Sequence, residues 1–299
     1  MGTSAEPQTV PRTTDSPAPQ ITLVTKPGVY DGMPEDLYHS DPVPAGSISS
    51  TGVKDILSSP ARYAYNAEHG REEKKAWDIG KVFHALALGT GCDVEELAFE
   101  NYRTKAAQDA EKKARAAGKV PMLAHEMAEV RAMEAAFRAT PAAALLQPDG
   151  LPERSIFWQD DETGVWCRGR LDHSNGPNSL DLKTTDDASP GAFAASAARY
   201  GYHIQEVLYR RGIRALGLAG DLGSDPEFHF VAIEKKPPYL LAVYENDPEA
   251  LVVAEELVSR ALRRFAECQR TGYWPGYPAG ITTLRFPRWA LYLPEEDSL

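Results

Sequence analysis

The residues best suited to chemistry lie in one short stretch, where two aspartates and a lysine flank a turn. Asp172 closes a first apolar run, residues 174–178 have turn composition, and Asp181 and Lys183 follow on a second run. Alternating residues on both sides of the turn predict two antiparallel strands. Because successive strand side chains point to opposite faces, Asp181 and Lys183 project to the same side. The stretch therefore predicts two carboxylates and one ammonium group around a small volume.

Such a cluster favours a bound divalent cation. Two carboxylates held close raise each other's pKa, and a cation that binds both removes the conflict. Oxygen ligands that leave room for water and phosphate suit Mg²⁺, and Mn²⁺ is expected to substitute. Beside a metal-bound water and a scissile phosphate, Lys183 would orient the nucleophile and offset developing negative charge. The side chain of Leu182 points into the core, but its carbonyl stays on the carboxylate edge.

The composition is that of an ordinary soluble protein. The 299 residues are 42% hydrophobic and 25% charged, which indicates a globular chain of one large domain or of two. There is no apolar run of membrane-spanning length, and the first residues lack the pattern of a signal peptide. The three cysteines are far apart without a Cys-x-x-Cys pair, which argues for free thiols and against zinc or iron–sulfur sites. These features predict a cytoplasmic protein.

The net charge of −11 is unevenly distributed. Residues 1–40, 225–256 and 294–299 account for all of the acidic excess, so the remainder of the chain is close to neutral. An acidic total argues against indiscriminate coating of nucleic acid. The near-neutral remainder of the chain is compatible with a local basic groove.

The pattern predicts a disordered arm followed by one α/β (α+β) domain. Residues 1–27 are polar and rich in proline, which is typical of disorder. The domain at 28–299 divides into a mainly helical part, a catalytic sheet with its helix, and a C-terminal helix with an aromatic loop. The bounds of these three parts are 28–150, 151–246 and 247–299. Helices are predicted at 47–57, 60–68, 77–89, 123–146 and 248–271, and strands at 152–158, 164–168, 225–234 and 239–245.

A further helix is predicted directly after the lysine-bearing strand. Ser189 followed by Pro190 is a strong start signal, and Gly201 is placed to interrupt the helix. The helix would pack on the sheet through apolar side chains, namely Phe193, Ala197, Tyr200, Val207 and Leu208. Gln205 and Tyr209, four residues apart, share one face. Arg210 and Arg211 continue the helix and are expected to reach phosphate.

Other candidate residues have two interpretations each. His84 lies beside an apolar helical stripe, where a lone histidine is usually a core or boundary residue rather than a ligand. Glu153 lies at a strand end, either as a surface carboxylate or as a further acid near the metal. Residues 101–121 are strongly basic, either as a solvated helix face or as a mobile element that contacts phosphates. The basic side chains considered for DNA contact there are Arg103, Lys105, Lys112 and Lys113.

These motifs resemble a known nuclease core. Asp181-Leu182-Lys183, with Asp172 before it, is similar to the PD-(D/E)XK pattern. The spacings Gly80-x-x-x-His84 and Gln205-x-x-x-Tyr209 resemble the RecB-like subgroup of that superfamily. Taken in order over residues 28–293, the motifs look like the nuclease domain of the exodeoxyribonuclease VIII (RecE-type) family. Residues 191–198 depart from the pattern, since they are richer in alanine than expected.

The resemblance implies a restriction-endonuclease-like fold, with a central mixed sheet flanked by helices. It implies a Mg²⁺-dependent exonuclease, bacterial or phage-encoded, that resects double-stranded DNA ends 5′ to 3′ and works with a single-strand-annealing recombination protein. By position, His84, Asp172 and Asp181 would bind the metal, helped by the Leu182 carbonyl, and Lys183 would orient the water. Glu153, Gln205 and Tyr209 would support the site.

Two other functions stay open. One is a related nuclease with a different use, either an endonuclease or a single-strand-specific enzyme. The other is a catalytically inactive DNA-binding or assembly module, since one fold hosts many functions. A homo-oligomeric ring would explain processive action, but nothing in the sequence decides the oligomeric state.

Overall fold

A six-stranded mixed sheet with helices on both faces forms the centre of the protein. The computed structural model describes residues 23–70, 78–220 and 225–291. In chain order the strands are β1 (Gly28–Tyr30), β2 (Val94–Leu97), β3 (Val120–Leu123), β4 (Leu151–Gln159), β5 (Trp166–Ser174), β6 (Asn178–Thr185), β7 (Glu227–Glu234) and β8 (Leu241–Tyr244). The helices are α1 (Glu35–His39), α2 (Ser50–Ser58), α3 (Pro60–His69), α4 (Asp78–Leu88), α5 (Lys105–Ala116), α6 (Ala124–Arg138), α7 (Pro190–Tyr200), α8 (Tyr202–Ala215) and α9 (Pro248–Thr271).

The sheet has the order β1-β4-β5-β6-β7-β8. Neighbouring strands are antiparallel except β6 and β7, which are parallel and joined through α7 and α8. Strands β2 and β3 form a separate parallel pair connected by α5. This mixed sheet with flanking helices is the fold class that the sequence predicts. In the described part of the chain, no helix combines the length and the apolar character needed to cross a bilayer.

Separate cores cover the two faces of the sheet, and a third, smaller one lies against Phe157 of β4. On one face α2, α8 and α9 pack together, and their core includes Leu208 and Phe265. On the other face α4 and α6 bury Phe83 and Phe137 against Leu182 of β6. Burial of apolar area at about 25 cal/mol per Å² stabilises both layers. Strand β6 therefore lies between the two layers: Leu180 and Leu182 belong to the core under α4 and α6, whereas Asp181 and Lys183 point to the opposite face.

Polar side chains cap helices such as α2 and α9, and a glycine ends α7. Ser49 caps α2 by accepting a hydrogen bond from the amide of Gly52, and Asp247 caps α9 in the same way. Gly201 ends α7 in the left-handed conformation, with φ of 67°, and α8 begins at the next residue. The predicted interruption is thus a helix–glycine–helix joint.

Several sequence predictions in the first half of the chain are wrong. The helix predicted at 123–146 ends at Arg138, and Pro141–Leu145 form a short 3-10 turn, because Pro141 has no amide hydrogen and disfavours helix before it. Strands β1, β2 and β3 have no counterpart among the predicted elements. Residues 1–22 of the predicted arm lie outside the described residues, whereas Val24 is fully buried and donates to the carbonyl of Pro42. The predicted arm therefore extends too far.

Tyr200 also differs from its prediction. It does not pack on the sheet, because it is 53% exposed at the last position of α7, while Phe193 of the same helix is buried.

Gly169 of β5 tests how tightly α8 packs on the sheet. A Cβ at this position would lie 2.9 Å from two ring atoms of Tyr209 and 3.3 Å from Ile156. We expect Gly169→Ala to lower the free energy of unfolding by about 1–3 kcal/mol, since a buried ring must move. Gly191→Ala on α7 is the control, because the added methyl group would have no neighbouring atom within 4 Å. Denaturant unfolding measures both, and an unchanged midpoint for Gly169→Ala would contradict the packing.

Candidate active site

The sheet divides at the two aspartates. Strands β5 and β6 pair only at His173–Leu180 and Ser174–Ser179, so the next pair in register would be Asp172 opposite Asp181. That pair does not form, although β5 stays paired with β4 and β6 with β7 beyond this point. Like charges directly opposite each other destabilise a strand pair. The strands therefore separate at this point and leave a fork in the sheet.

Side chains occupy the fork in place of the missing ladder. Asp172 Oδ2 accepts a hydrogen bond of 2.8 Å from the amide of Leu182. The other backbone group of Leu182 has a side-chain partner too, since His84 Nε2 of α4 lies 2.8 Å from the Leu182 carbonyl oxygen. Both backbone groups of Leu182 are thus satisfied by side chains, as buried backbone groups require. The Leu182 carbonyl contacts His84, and its role as a metal ligand stays a prediction.

His84 reaches the fork because α4 lies close to β6. A Cβ at Gly80, one turn before His84, would lie 3.2 Å from Thr184 Oγ1. Glycine at this position lets the helix approach the strand and places the imidazole beside the sheet. His84 Nδ1 lies 3.5 Å from Asp172 Oδ2. The spacing Gly80-x-x-x-His84 therefore has a steric reason.

Three side chains present ligand atoms to one point. One ligand atom each from His84, Glu153 and Asp172 lies within 4.8 Å of the others, and each side chain is partly buried. Within the described residues this is the one such group of histidine, cysteine or acidic side chains. One nitrogen and two carboxylate donors suit a hard divalent cation such as Mg²⁺ or Mn²⁺. The donor set fits the metal that the sequence predicts, with Glu153 among the possible ligands.

Arg170 holds Glu153 in place. Its Nε lies 2.5 Å from Glu153 Oε2, and Nη1 donates to the carbonyl of Met33 at 3.0 Å and to Ser155 Oγ at 3.1 Å. Glu153 has a positive φ of 51°, which is rare for a residue with a side chain. Such conformations persist where surrounding contacts fix them, often at functional sites.

Asp181 and Lys183 face the α8 side of β6. Lys183 Nζ forms an ion pair with Asp181 Oδ2, and Gln205 Nε2 donates to Asp181 Oδ1 at 2.6 Å. Asp181 is 1% exposed and is not part of the three-residue group. Its two oxygens contact Lys183 and Gln205 instead, so its role as a metal ligand stays a prediction.

Charge and burial set the protonation states. Burial, followed by the charge of Asp181, raises the pKa of Asp172 well above its usual value. Burial, followed by the charge of Lys183, lowers the pKa of His84, which keeps the imidazole neutral and able to bind a metal. Burial alone would lower the pKa of Lys183, but Asp181 and Asp172 outweigh it and the pKa is raised. Lys183 is therefore a charged donor at neutral pH and not a base.

A cleft of about 520 Å³ opens onto the three-residue group. Its lining includes His84, Glu153 and Asp172, together with the segments 31–35 and 90–92. Lys81 and Arg170 also border it. A volume of this size admits a substrate group together with water.

Tyr209 and Gln205, predicted to support the site, both lie at the fork. The ring of Tyr209 is buried against Gly169, and its burial raises its pKa well above the usual value. It is 6% exposed, so in this conformation its ring packs under β5 rather than facing solvent. Their functional roles stay predictions.

The basic residues predicted for DNA contact fall into two groups. Arg103, Lys105, Lys112 and Lys113 are exposed at and along α5. Arg210 instead pairs with Glu206 at 2.7 Å, and Arg211 pairs with Glu255 at 2.5 Å and with Ser259 at 2.7 Å. These two arginines are held by neighbouring side chains of α8 and α9. Their contact with DNA stays a prediction that would require those ion pairs to be shared or broken.

Two residues at the site have no predicted role. Arg170 contacts Glu153, and Tyr202 places its ring centroid 4.8 Å from Lys183 Nζ. The alternation of strand side chains could have indicated Arg170, since Arg170 and Asp172 share one face of β5. The contact of Tyr202 with Lys183 depends on how α8 lies against β6, which no local sequence pattern indicates.

A family model described as a PDDEXK-like domain of unknown function (DUF3799) matches residues 49–286. No curated protein sequence matches the chain. The crystal structure of a candidate exonuclease from Eubacterium rectale is similar over 82% of this chain and 92% of its own, at 13% identity and a TM-score of 0.55. A phage-related exonuclease from Haemophilus somnus 129PT aligns over 76% and 96%, at 13% identity and a TM-score of 0.30. The first of these supports the fold.

Asp172 tests whether the buried carboxylates are kept for a cation. With its pKa raised in the folded state, Asp172 adds stability that is complete below about pH 4, the pKa of an unfolded aspartate, and is lost as the pH rises through the raised value. We therefore expect Asp172→Asn to stabilise the metal-free protein at pH 7.5 by roughly 0.5–2 kcal/mol. Thermal unfolding in a chelator measures this.

The same variant should lose the stabilisation that Mg²⁺ or Mn²⁺ gives the wild type, since a ligand for the folded state raises its stability. Asp109→Asn, on the exposed face of α5, is the control and should match the wild type in both conditions. Equal stabilisation of Asp172→Asn and wild type by the cation would argue against this site.

Proposed function

Because this chain belongs to the PDDEXK-like domain family, whose model matches residues 49–286, we propose that it is a divalent-cation-dependent deoxyribonuclease. The reaction is hydrolysis of phosphodiester bonds, with exonuclease action at double-stranded DNA ends as the specific activity. One observation carries the proposal. Ligand atoms of His84, Glu153 and Asp172 converge in the lining of a cleft, near the ion pair of Lys183 and Asp181.

Different residues of the chain have different proposed roles in the reaction. His84, Glu153 and Asp172 would hold the cation, with Asp181 and the Leu182 carbonyl as the further ligands that the sequence predicts. A bound Mg²⁺ would supply a water of lowered pKa and offset charge on the phosphate. Arg170 fixes the Glu153 carboxylate, and Gln205 fixes that of Asp181. Preorganised groups of this kind need little rearrangement during the reaction.

We assign to Lys183 the contact with the phosphate. It stays protonated at neutral pH because two aspartates raise its pKa. A protonated lysine donates hydrogen bonds and offsets negative charge on a pentavalent phosphorus, but it cannot remove a proton from water. Its side chain is 18% exposed, which limits competing solvent contacts.

Helix α5 is the proposed contact for the DNA backbone. Arg115 of α5 forms an ion pair of 2.7 Å with Asp78, the first residue of α4, and α4 carries His84. The Arg115–Asp78 ion pair thus links α5, with its exposed basic residues, to the helix that carries His84. Phosphate contacts of this type position DNA without reading its sequence.

We further propose the 5′ to 3′ direction, and that the product strand passes to a single-strand-annealing recombination protein. A homo-oligomer would keep the enzyme on its substrate. The direction and the partner are supported by the resemblance of the ordered motifs to RecE-type nucleases.

Digestion of end-labelled linear duplex tests the activity. We expect Mg²⁺-dependent release of the 5′ label before the 3′ label, and no cleavage of covalently closed duplex. Lys183→Ala should lower the rate by about 10²–10³-fold, since it removes a charge that stabilises the transition state. Asp181→Ala serves as a second inactive variant, and circular dichroism should show that both remain folded.

Cleavage of closed circles would identify an endonuclease, and digestion of single strands alone would identify a single-strand-specific enzyme. If the wild-type protein binds DNA but cleaves it neither with Mg²⁺ nor with Mn²⁺, it is an inactive binding module.

The lysines of α5 test the DNA path. We expect Lys112→Ala combined with Lys113→Ala to weaken DNA binding for every sequence alike. The slope of log affinity against log salt should become less steep by about one for each lost phosphate contact. Lys119→Ala is the control, because Lys119 pairs with Glu95 at 2.6 Å. Filter binding at several salt concentrations measures the slopes, and identical slopes would mean that α5 is a solvated face.

A further inference from the structure

A row of aromatic and basic side chains leads outward from Lys183. The ammonium of Lys183 lies 4.8 Å from the centroid of the Tyr202 ring. The Tyr200 ring stacks beside Tyr202, with centroids 6.0 Å apart and planes at 23°. The guanidinium of Arg199 lies 5.8 Å from the Tyr200 centroid. The order is therefore Lys183, Tyr202, Tyr200 and Arg199, from the site towards solvent.

The inner ring of this row is firmly anchored. Tyr202 stacks on Phe230 of β7 at 5.5 Å and 18°, and its centroid lies 5.9 Å from that of Phe193. Both of these phenylalanines are buried. Tyr202 thus connects the core to the ammonium of Lys183, and its ring has a fixed position.

The outer ring is held although it is exposed. Tyr200 ends α7 and precedes Gly201, whose left-handed φ of 67° fixes the angle between α7 and α8. Lys54 Nζ of α2 donates to the carbonyl of Tyr200 at 2.8 Å. A Cβ at position 201 would lie 2.9 Å from Lys54 Cδ, so the joint is tightly packed. The backbone beneath Tyr200 is therefore fixed from two sides.

Packing alone does not explain Tyr200. The other residues of α7 are small or polar apart from Phe193, which is buried and anchors the helix. Tyr200 is 53% exposed, so about half of its surface stays open to solvent. Aromatic rings next to cationic groups on a fixed surface suit nucleic acid, because every base has a face that can stack on them. Arg199, Lys54 and Lys183 supply the positive charge for the phosphates between bases.

We propose that Tyr200 and Tyr202 form a stacking subsite for an unpaired nucleobase next to the phosphate bound at Lys183. This inference rests on the proposed nuclease function and adds a substrate preference to it. A base can reach Tyr200 only when it is unpaired, so the enzyme prefers frayed or single-stranded termini over blunt, fully paired ends. Tyr200 binds substrate, whereas Tyr202 is also a positioning residue for Lys183.

A fluorescent base analogue tests the subsite directly. 2-Aminopurine at the terminal unpaired position of a DNA duplex loses fluorescence when it stacks. We expect wild type and Tyr200→Trp to quench it in Ca²⁺, and Tyr200→Ala to leave it bright. Affinity for the same DNA should fall by roughly tenfold in Tyr200→Ala. With Mg²⁺ the rise in KM should match that loss, while kcat changes little.

The matched control is Tyr65→Ala, which removes a tyrosine of α3 that is 61% exposed and stacks on His69. It should behave as wild type in binding, quenching and kinetics. Replacing the terminal nucleotide by an abasic one should weaken wild-type binding and leave Tyr200→Ala unchanged.

Two results would overturn the subsite, and they separate it from the proposed function. If Tyr200→Ala binds and quenches like wild type while both cleave DNA, the subsite does not exist but the nuclease does. If wild type binds no DNA in Ca²⁺ and cleaves none in Mg²⁺, the nuclease function fails and the subsite fails with it.

Discussion

The repulsion between Asp172 and Asp181 is the constraint on which the rest of the site depends. Continued pairing of β5 and β6 would place these carboxylates opposite each other. Instead the strands separate, and Asp172 turns to the amide of Leu182 while Asp181 binds Lys183 and Gln205. A protein that needed only a stable sheet would place apolar residues at these positions. Holding the acids near each other has a use only if a positive charge joins them.

The site draws its residues from both layers of the fold. His84 comes from α4 in one core, whereas Gln205 and Tyr202 come from α8 in the other. Strand β6 passes between the two layers. Its Leu182 is buried on the α4 side, and its Lys183 faces the α8 side. Because each layer contributes side chains that the other lacks, the site forms only when both layers are packed on the sheet.

Sequence reasoning succeeds where one local pattern decides the structure. The alternation around Asp181 and Lys183, the helix start at Ser189-Pro190, and the break at Gly201 all follow from neighbouring residues. It fails where distant segments decide. Strands β2 and β3 pair across α5, and each is too short to stand out.

The same distinction applies within the site. The presence of Glu153 and His84 near Asp172 depends on the register of β4 with β5 and on the distance between α4 and β6. The separation of Asp181 from that group depends on Gln205, 24 residues further along the chain. The exposure of Tyr200 depends on the angle of the glycine joint. None of these quantities can be read from hydrophobic periodicity.

The amide of Leu182 has an unusual partner for a residue in the middle of a sheet. Most strand amides donate to a carbonyl of the next strand, so their exchange with deuterated solvent reports the opening of the sheet. This one donates to the carboxylate of Asp172. Its exchange rate therefore responds to the charge and position of a single side chain, and it provides a built-in spectroscopic reporter of the state of that carboxylate.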